Sequence, residues 1–296
     1  MCAESRREVD LGIGAARLIL VPTPIGNLGD ITLRAVEVLR GADRILAEDT
    51  RRTGVLLSHL GIDRSKLHRL DANATERDLE RALRWLLAGD VLAVVTDAGT
   101  PCVSDPGHAL VCRAVDAGVQ VTALPGASAV TAAVALSGLV QGGFSFVGFV
   151  PRGQTERMDF IEKLSCMAEP CVCFESPNRL AETLRAMADA MPERPIVIAR
   201  ELTKLHEEVI RGVVRDVALL EREWVGEVTV VLGPWAGRIE EAVSDTQVDA
   251  RIDDELGRGV HTRTVAAKVA AWSGRSRRDV YARVVERLEM VRKRKD

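Results

Sequence analysis

Twice within the first 110 residues a short apolar run gives way to a loop dense in proline and glycine, and the loop gives way to a helical pattern. Leu18–Val21 leads into Pro22-Thr-Pro-Ile-Gly-Asn-Leu-Gly-Asp30 and then a helix over Thr32–Arg40. Val91–Thr96 leads into Asp97-Ala-Gly-Thr-Pro-Cys-Val-Ser-Asp-Pro-Gly107 and a helix from about Pro106. Strand, loop, helix is the repeating step of open α/β sheets, which hold ligands just beyond the carboxyl ends of their strands. Gly99, Pro101, Pro106 and Gly107 keep the second loop bent, with Asp105 suited to cap the next helix and Pro106 to open it. Neither loop ends in the Lys-Ser/Thr of a Walker A motif. Gly26 and Gly29 lack the preceding Gly-x-Gly of a dinucleotide fingerprint, and Gly12-Ile-Gly14 stands before the strand rather than after it. One such loop fits a plain tight connection as well as a ligand site; the pair favours a ligand.

The alternation continues. Further strand-like runs lie at 44–47, 119–123, 144–150, 170–174, 195–199, 208–211 and 228–232, with helical patterns at 53–60, 76–88, 128–136, 155–167, 177–190 and 215–222. Gly61, Gly89 and Gly118 follow three helices, where a left-handed cap is favoured. This pattern predicts α/β layers with both sheet faces covered, the first half mostly parallel and 208–232 adding antiparallel pairing. The reading places a flexible tail at 1–16, an α/β domain at 17–125, a second at 126–236, an acidic linker at 237–257 and a basic helical segment at 258–296. Within that segment Val265, Val269 and Trp272, then Val280, Val284 and Leu288, fall near helical spacing. A turn around Ser276 as N-cap separates them, as in a helix-turn-helix or a packed helical pair.

Charge is unevenly spread. The chain of 296 residues has a net charge of −3, yet from Arg258 onward twelve Lys and Arg face four acids. A basic appendage on an acidic body suits phosphate contact, although a solvated helix face has the same composition. Six cysteines form no metal-ligand spacing, and no apolar stretch is long enough to span a bilayer. A cytoplasmic protein with neither metal nor membrane partner is expected. Aromatics make up 3% of the chain, and Phe144, Phe146 and Phe149 alternate as core or interdomain packing residues would.

Seven segments in one order resemble a known family: Pro22–Arg34, Ala47-Glu-Asp-Thr-Arg-Arg-Thr53, Asp97–Pro101, Ser104–Gly107, Leu124–Ser128, Glu175-Ser-Pro177 and Ala199–Lys204. They are similar to the bacterial small-subunit ribosomal RNA (cytidine-2′-O)-methyltransferase I family, within the tetrapyrrole-methylase superfamily. The resemblance implies two dissimilar α/β domains with S-adenosylmethionine in the trough between them. It also implies the small ribosomal subunit and its 16S rRNA as partner, and a homodimer.

Carried over position by position, the resemblance puts Thr100, Pro101, Val103, Ser128, Ala129, Glu175 and Glu227 on the cofactor. Glu48, Asp49 and Arg51, charged residues at the end of the second strand, are the candidates for catalysis at the acceptor, and Lys204 joins them. Charges gather where a site needs them, although Asp49 also suits a helix cap and Lys204 could pair with Glu201 or Glu208. One departure stands out. Where the family has a His-rich segment, this chain has Asp71-Ala-Asn-Ala-Thr75. A tetrapyrrole-type C-methyltransferase and a ribosome-binding factor without catalysis remain the alternatives.

Overall fold

The computed structural model describes residues 18–103, 107–235, 245–258, 260–273 and 276–293. The tail at 1–16 and the proposed cap at Asp105–Pro106 lie outside them. The chain divides into a body, Met1–Trp235, and a C-terminal unit, Ala236–Asp296.

The body opens with β1 (Leu18–Leu20), α1 (Leu33–Gly41), β2 (Arg44–Ala47), α2 (Thr50–His59), β3 (Leu67–Arg69), α3 (Glu76–Leu87), β4 (Leu92–Val95), α4 (His108–Asp116) and β5 (Val121–Ala123). Its sheet is wholly parallel, in the order β3-β2-β4-β1-β5. Successive side chains point to opposite faces. Ile19, Ile45 and Ala93 pack with Val38, Leu39 and Leu57 of α1 and α2, while Leu18, Leu46 and Leu92 pack with Leu79, Leu86 and Leu110 of α3 and α4. Right-handed crossovers require this arrangement. From β1 the chain moves toward β2 over one face; from β4 it moves the other way, to β5, over the opposite face. Because β1 and β4 are neighbours, their following loops part and leave a crevice, the switch point where open α/β sheets bind ligands.

The second half runs α5 (Ala129–Ser137), β6 (Ser145–Phe149), α6 (Gln154–Cys166), β7 (Cys171–Glu175), α7 (Pro177–Ala190), β8 (Pro195–Arg200), β9 (Glu208–Val213), α8 (Val214–Ala218) and β10 (Val228–Leu232). Its sheet, β6-β7-β10-β8-β9, pairs β6 and β7 parallel and the rest antiparallel. One face packs on α6, α7 and α8; the other packs on α5. That second core also takes in Ile25 from the loop after β1, so the first switch-point loop is anchored in the neighbouring sheet's packing. Gly26 enables the approach. A Cβ there would sit 2.4 Å from Lys204 Cγ and 2.8 Å from Thr203 Oγ1.

The C-terminal unit is a three-helix cluster of α9 (Asp245–Gly257), α10 (Thr262–Ser273) and α11 (Arg277–Lys293), closed over Val248, Ile252, Val265, Val269, Val280 and Val284. The turn at Ser276 is capped as expected, its hydroxyl accepting from Asp279 N–H at 3.1 Å. The proposed linker at 237–257 is corrected here, since Asp245–Gly257 is a helix. Its acidic composition reads as linker only when the basic partners on α11 are out of view. Strand β3 is not among the strands expected from the sequence.

Candidate active site

The two switch-point loops are fastened to each other before they form any site. Thr23 N–H donates to Gly99 O at 2.9 Å and Gly99 N–H to Thr23 O at 3.0 Å, while Thr23 Oγ1 donates to Thr96 O at 3.0 Å. Gly99 has φ +87°, a backbone region costly for any side chain. Thr100 Oγ1 reaches Ala127 O at 3.2 Å, tying the second loop to the segment that enters α5.

Between the two sheets lies a cavity of about 1010 Å³, at the upper end of the range of about 300–1,000 Å³ usual for small-molecule sites. Thr100, Val103, Ser128, Ala129, Glu175 and Glu227 all line it, as does Glu48. Ser128 stands at the N-cap of α5 yet makes no capping bond with its side chain, so its hydroxyl and the helix N-terminus face the cavity unspent. Glu48 accepts from Thr96 Oγ1 at 3.1 Å through one carboxylate oxygen; the other has no hydrogen-bond partner among the described residues.

Several expected residues sit elsewhere or act differently. Pro101, Asp49, Arg51 and Lys204 are not on the cavity wall. Asp49 caps α2, accepting from Arg51 N–H at 2.8 Å and from the Arg51 side chain at 3.0 Å, and these bonds hold its carboxyl down at about 2. Arg51 itself points outward with its side chain 90% exposed. Lys204 pairs with Glu201 at 2.8 Å and Glu227 at 3.0 Å, not with Glu208, and those bonds raise its pKa against the pull of desolvation. Glu175 lines the cavity, but its carboxylate is wholly buried, accepting from Thr183 Oγ1 at 2.7 Å and Ser176 N–H at 2.5 Å and pairing with Arg179 at 2.6 Å. That carboxylate braces the turn from β7 into α7.

The cavity also collects residues that the sequence reading missed: Arg52, Asp97, Arg152 and Phe149. Phe149 is 58% exposed instead of packed in the core, because a positive φ at Gly148 (+77°) and a register shift between Phe146 and Phe149 turn it off the β6 alternation. The departing segment 71–75 lies outside the cavity wall. Asp71 accepts from Asn73 N–H at 3.1 Å, and Thr75 and Asp78 form a capping box for α3.

A parallel sheet and a mostly antiparallel one, enclosing a trough at a switch point, define the tetrapyrrole-methylase class of fold. Solved structures share it: diphthine synthase (TM-score 0.58, 21% identity, 73% of this chain and 89% of that one) and uroporphyrin-III-C-methyltransferase from Thermus thermophilus (TM-score 0.53, 19%, 73% and 93%). The chain belongs to the family of tetrapyrrole (corrin/porphyrin) methylases, whose model matches residues 17–218. Curated relatives carry the name Ribosomal RNA small subunit methyltransferase I. Three of them come from Thermotoga maritima (45% identity over 73% of this chain and 97% of that protein), Mesorhizobium japonicum (40%, 91% and 91%) and Micromonospora olivasterospora (40%, 95% and 90%). A match to 73% of this chain accounts for 97% of the Thermotoga protein.

Proposed function

We propose that this chain methylates the ribose 2′-oxygen of a cytidine in small-subunit (16S) ribosomal RNA, using S-adenosylmethionine. The observation that carries the reading is the 40% identity, over 91% of both chains, to a relative of that name. The cavity fits the donor. Its volume suffices for a nucleoside with room beside it, the α5 N-terminus and Ser128 suit a carboxylate or ribose hydroxyl, and Val103, Ala129 and Phe174 offer apolar wall. When bound, S-adenosylmethionine supplies a methyl carbon activated by its sulfonium leaving group.

The protein's task is then alignment, with help in removing one proton. Thr100, held by Ala127 O, fixes the loop against the cofactor side. Glu48 is oriented by Thr96 and keeps one oxygen free, which suits it to accept the 2′-OH proton as the new C–O bond forms and the C–S bond breaks. A homodimer working in the cytoplasm is part of this reading; light scattering should give twice the chain mass.

Small subunits from cells lacking the modification, incubated with the purified chain and a methyl-labelled donor, should yield labelled 2′-O-methylcytidine on nuclease digestion and mass spectrometry. Absence of label in the RNA overturns the reading. Label in a tetrapyrrole carbon instead would move the chain to that activity, and cofactor binding without transfer to either would make it a binding factor.

A further inference from the structure

The wall of the cavity carries exposed residues that nothing above assigns to substrate. We infer that Arg52 and Arg152 clamp a backbone phosphate of the RNA acceptor there, with Phe149 stacking on a base; the inference rests on the RNA-methyltransferase reading and names its acceptor side. Arg52 comes from the first turn of α2, beyond the carboxyl end of β2 in the parallel sheet. Arg152 comes from the loop after β6 in the mixed sheet. Both are exposed, and both line the one cavity.

What separates them from the other charged groups on that wall is that Arg152 is unspent and Arg52 is only loosely held. Arg179 is held by Glu175 at 2.6 Å and by the carbonyls of Pro151 and Val150 at 2.8 and 3.3 Å. Glu227 is held by Lys204. Asp97 accepts from Asp49 N–H at 3.1 Å and meets Arg52 only at 3.4 Å, too long for a fork-to-fork bond. Arg152 has no hydrogen-bond or ion-pair partner among the described residues.

The chemistry of the acceptor calls for such groups. In an RNA chain the 2′-hydroxyl is flanked by the phosphate on O3′ of the same ribose, so any site that presents O2′ to a methyl carbon must also receive that phosphate. Glu48, an anion on the same wall, would repel it. Two guanidiniums offset that repulsion and match a phosphate's oxygens in pairs. Phe149, three residues before Arg152, supplies an exposed ring on the same wall, and single-stranded RNA is recognised by stacking of unpaired bases together with backbone contacts. The ring lies 5.1 Å from that of Phe174, which steadies it from behind.

The test is the salt dependence of binding of an unmodified single-stranded oligoribonucleotide to the full chain loaded with S-adenosylhomocysteine. Arg52→Ala and Arg152→Ala should each weaken binding roughly tenfold or more and lower the log–log salt slope, by about 0.7 in total when both are removed, the share of the one phosphate they clamp. Phe149→Ala should weaken binding on the order of tenfold while leaving the slope alone, because stacking releases no counterion. Arg152→Lys should restore most of the slope. S-adenosylhomocysteine affinity should be the same in all variants. An unchanged slope in both arginine variants overturns the clamp, as does an equal loss of cofactor affinity, which would assign the arginines to the donor. Wild-type protein that binds no RNA overturns it too. RNA binding with the expected slope changes but no methyl transfer would leave the clamp standing and remove the methyltransferase reading.

Discussion

The C-terminal unit and the cavity wall both carry arginines, but they spend them in opposite ways. In the C-terminal unit Arg283 sits 2.5 Å from Asp249 and 3.1 Å from Asp245, Arg287 pairs with Asp253, and Lys268 pairs with Glu255 at 3.0 Å. The acids come mostly from α9, the segment that reads as a linker in sequence. Once its residues are counted, fourteen basic groups face eleven acidic ones over Ala236–Asp296, and the excess of the basic run largely disappears. Among the described residues of that unit, Arg263, Arg277 and Arg278 keep no carboxylate partner. The body is net acidic, yet at its cavity it leaves Arg152 free and Arg52 loosely held. A run of like charge in sequence therefore says little about which charges a partner can reach; intramolecular pairing decides that.

The comparison breaks first if the cofactor does not belong to the body. Thr100→Trp should fill the cavity and abolish S-adenosylmethionine binding by calorimetry while thermal unfolding stays cooperative. The body alone, ending at Trp235, should bind the cofactor as the full chain does, because every residue lining the cavity lies within it. Loss of binding on that truncation would mean the two regions are not separable in function.

Next in size is the acceptor chemistry. Glu48→Gln should depress single-turnover methyl transfer by about 10²–10⁴ with cofactor affinity kept, the usual worth of a positioned base. Arg51→Ala should change little, because its side chain points to water and its only partner among the described residues is the capping Asp49. A large effect of Arg51 would move the acceptor cluster one residue along α2 and weaken the assignment of Arg52.

Smaller again is the contribution of the C-terminal unit to RNA binding. Its removal should lower the salt slope for small-subunit binding, by about one contact for each arginine that lacks a carboxylate partner among the described residues, Arg263, Arg277 and Arg278 among them. A fall much larger than this would mean that Arg283 and Arg287 leave their carboxylates on binding.

The smallest effect is on the unit's own stability. Arg283 bonding to Asp249 and Lys268 bonding to Glu255 hold both carboxyls below their usual values. Groups depressed in the folded state stabilise it above the ordinary carboxylate pKa of about 3.9–4.3, and that contribution is lost as pH falls through the lowered values. Protection of the α9–α11 amides against hydrogen exchange, relative to the intrinsic rate at each pH, should therefore fall below about pH 4. Asp249→Asn should cost at most about 1 kcal/mol at neutral pH, since water screens a surface pair, and should blunt the acid effect.

Most elements were legible because each carries its own signal. Arg44–Ala47, Pro177–Ala190 and Val228–Leu232 coincide with β2, α7 and β10 to the residue. Gly61, Gly89 and Gly118 take the positive φ their positions after helices suggested. What escaped was short or depended on a distant partner. Strand β3 is three residues, Leu-His-Arg, too brief to show a period, and exists because β2 offers it an edge. Helix α9 shows its apolar face, Val248 and Ile252, only against α10 and α11.

The site divides along the same line. The two Pro/Gly loops, the strand ends that launch them and the family resemblance that points to Thr100, Val103, Ser128, Ala129 and Glu48 are readable from the residues alone, since turn chemistry and strand periodicity are local properties. The sequence also marks the Thr50-Arg-Arg-Thr53 segment as charged and capped, but not which arginine counts. Neighbouring residues on a helix point about 100° apart, so Arg51 turns to solvent and Arg52 to the cavity. That direction, the Gly148 kink that exposes Phe149, and the placing of Arg52 and Arg152 on the wall of one cavity come from the packed chain, because each depends on where a separate part of the chain lies.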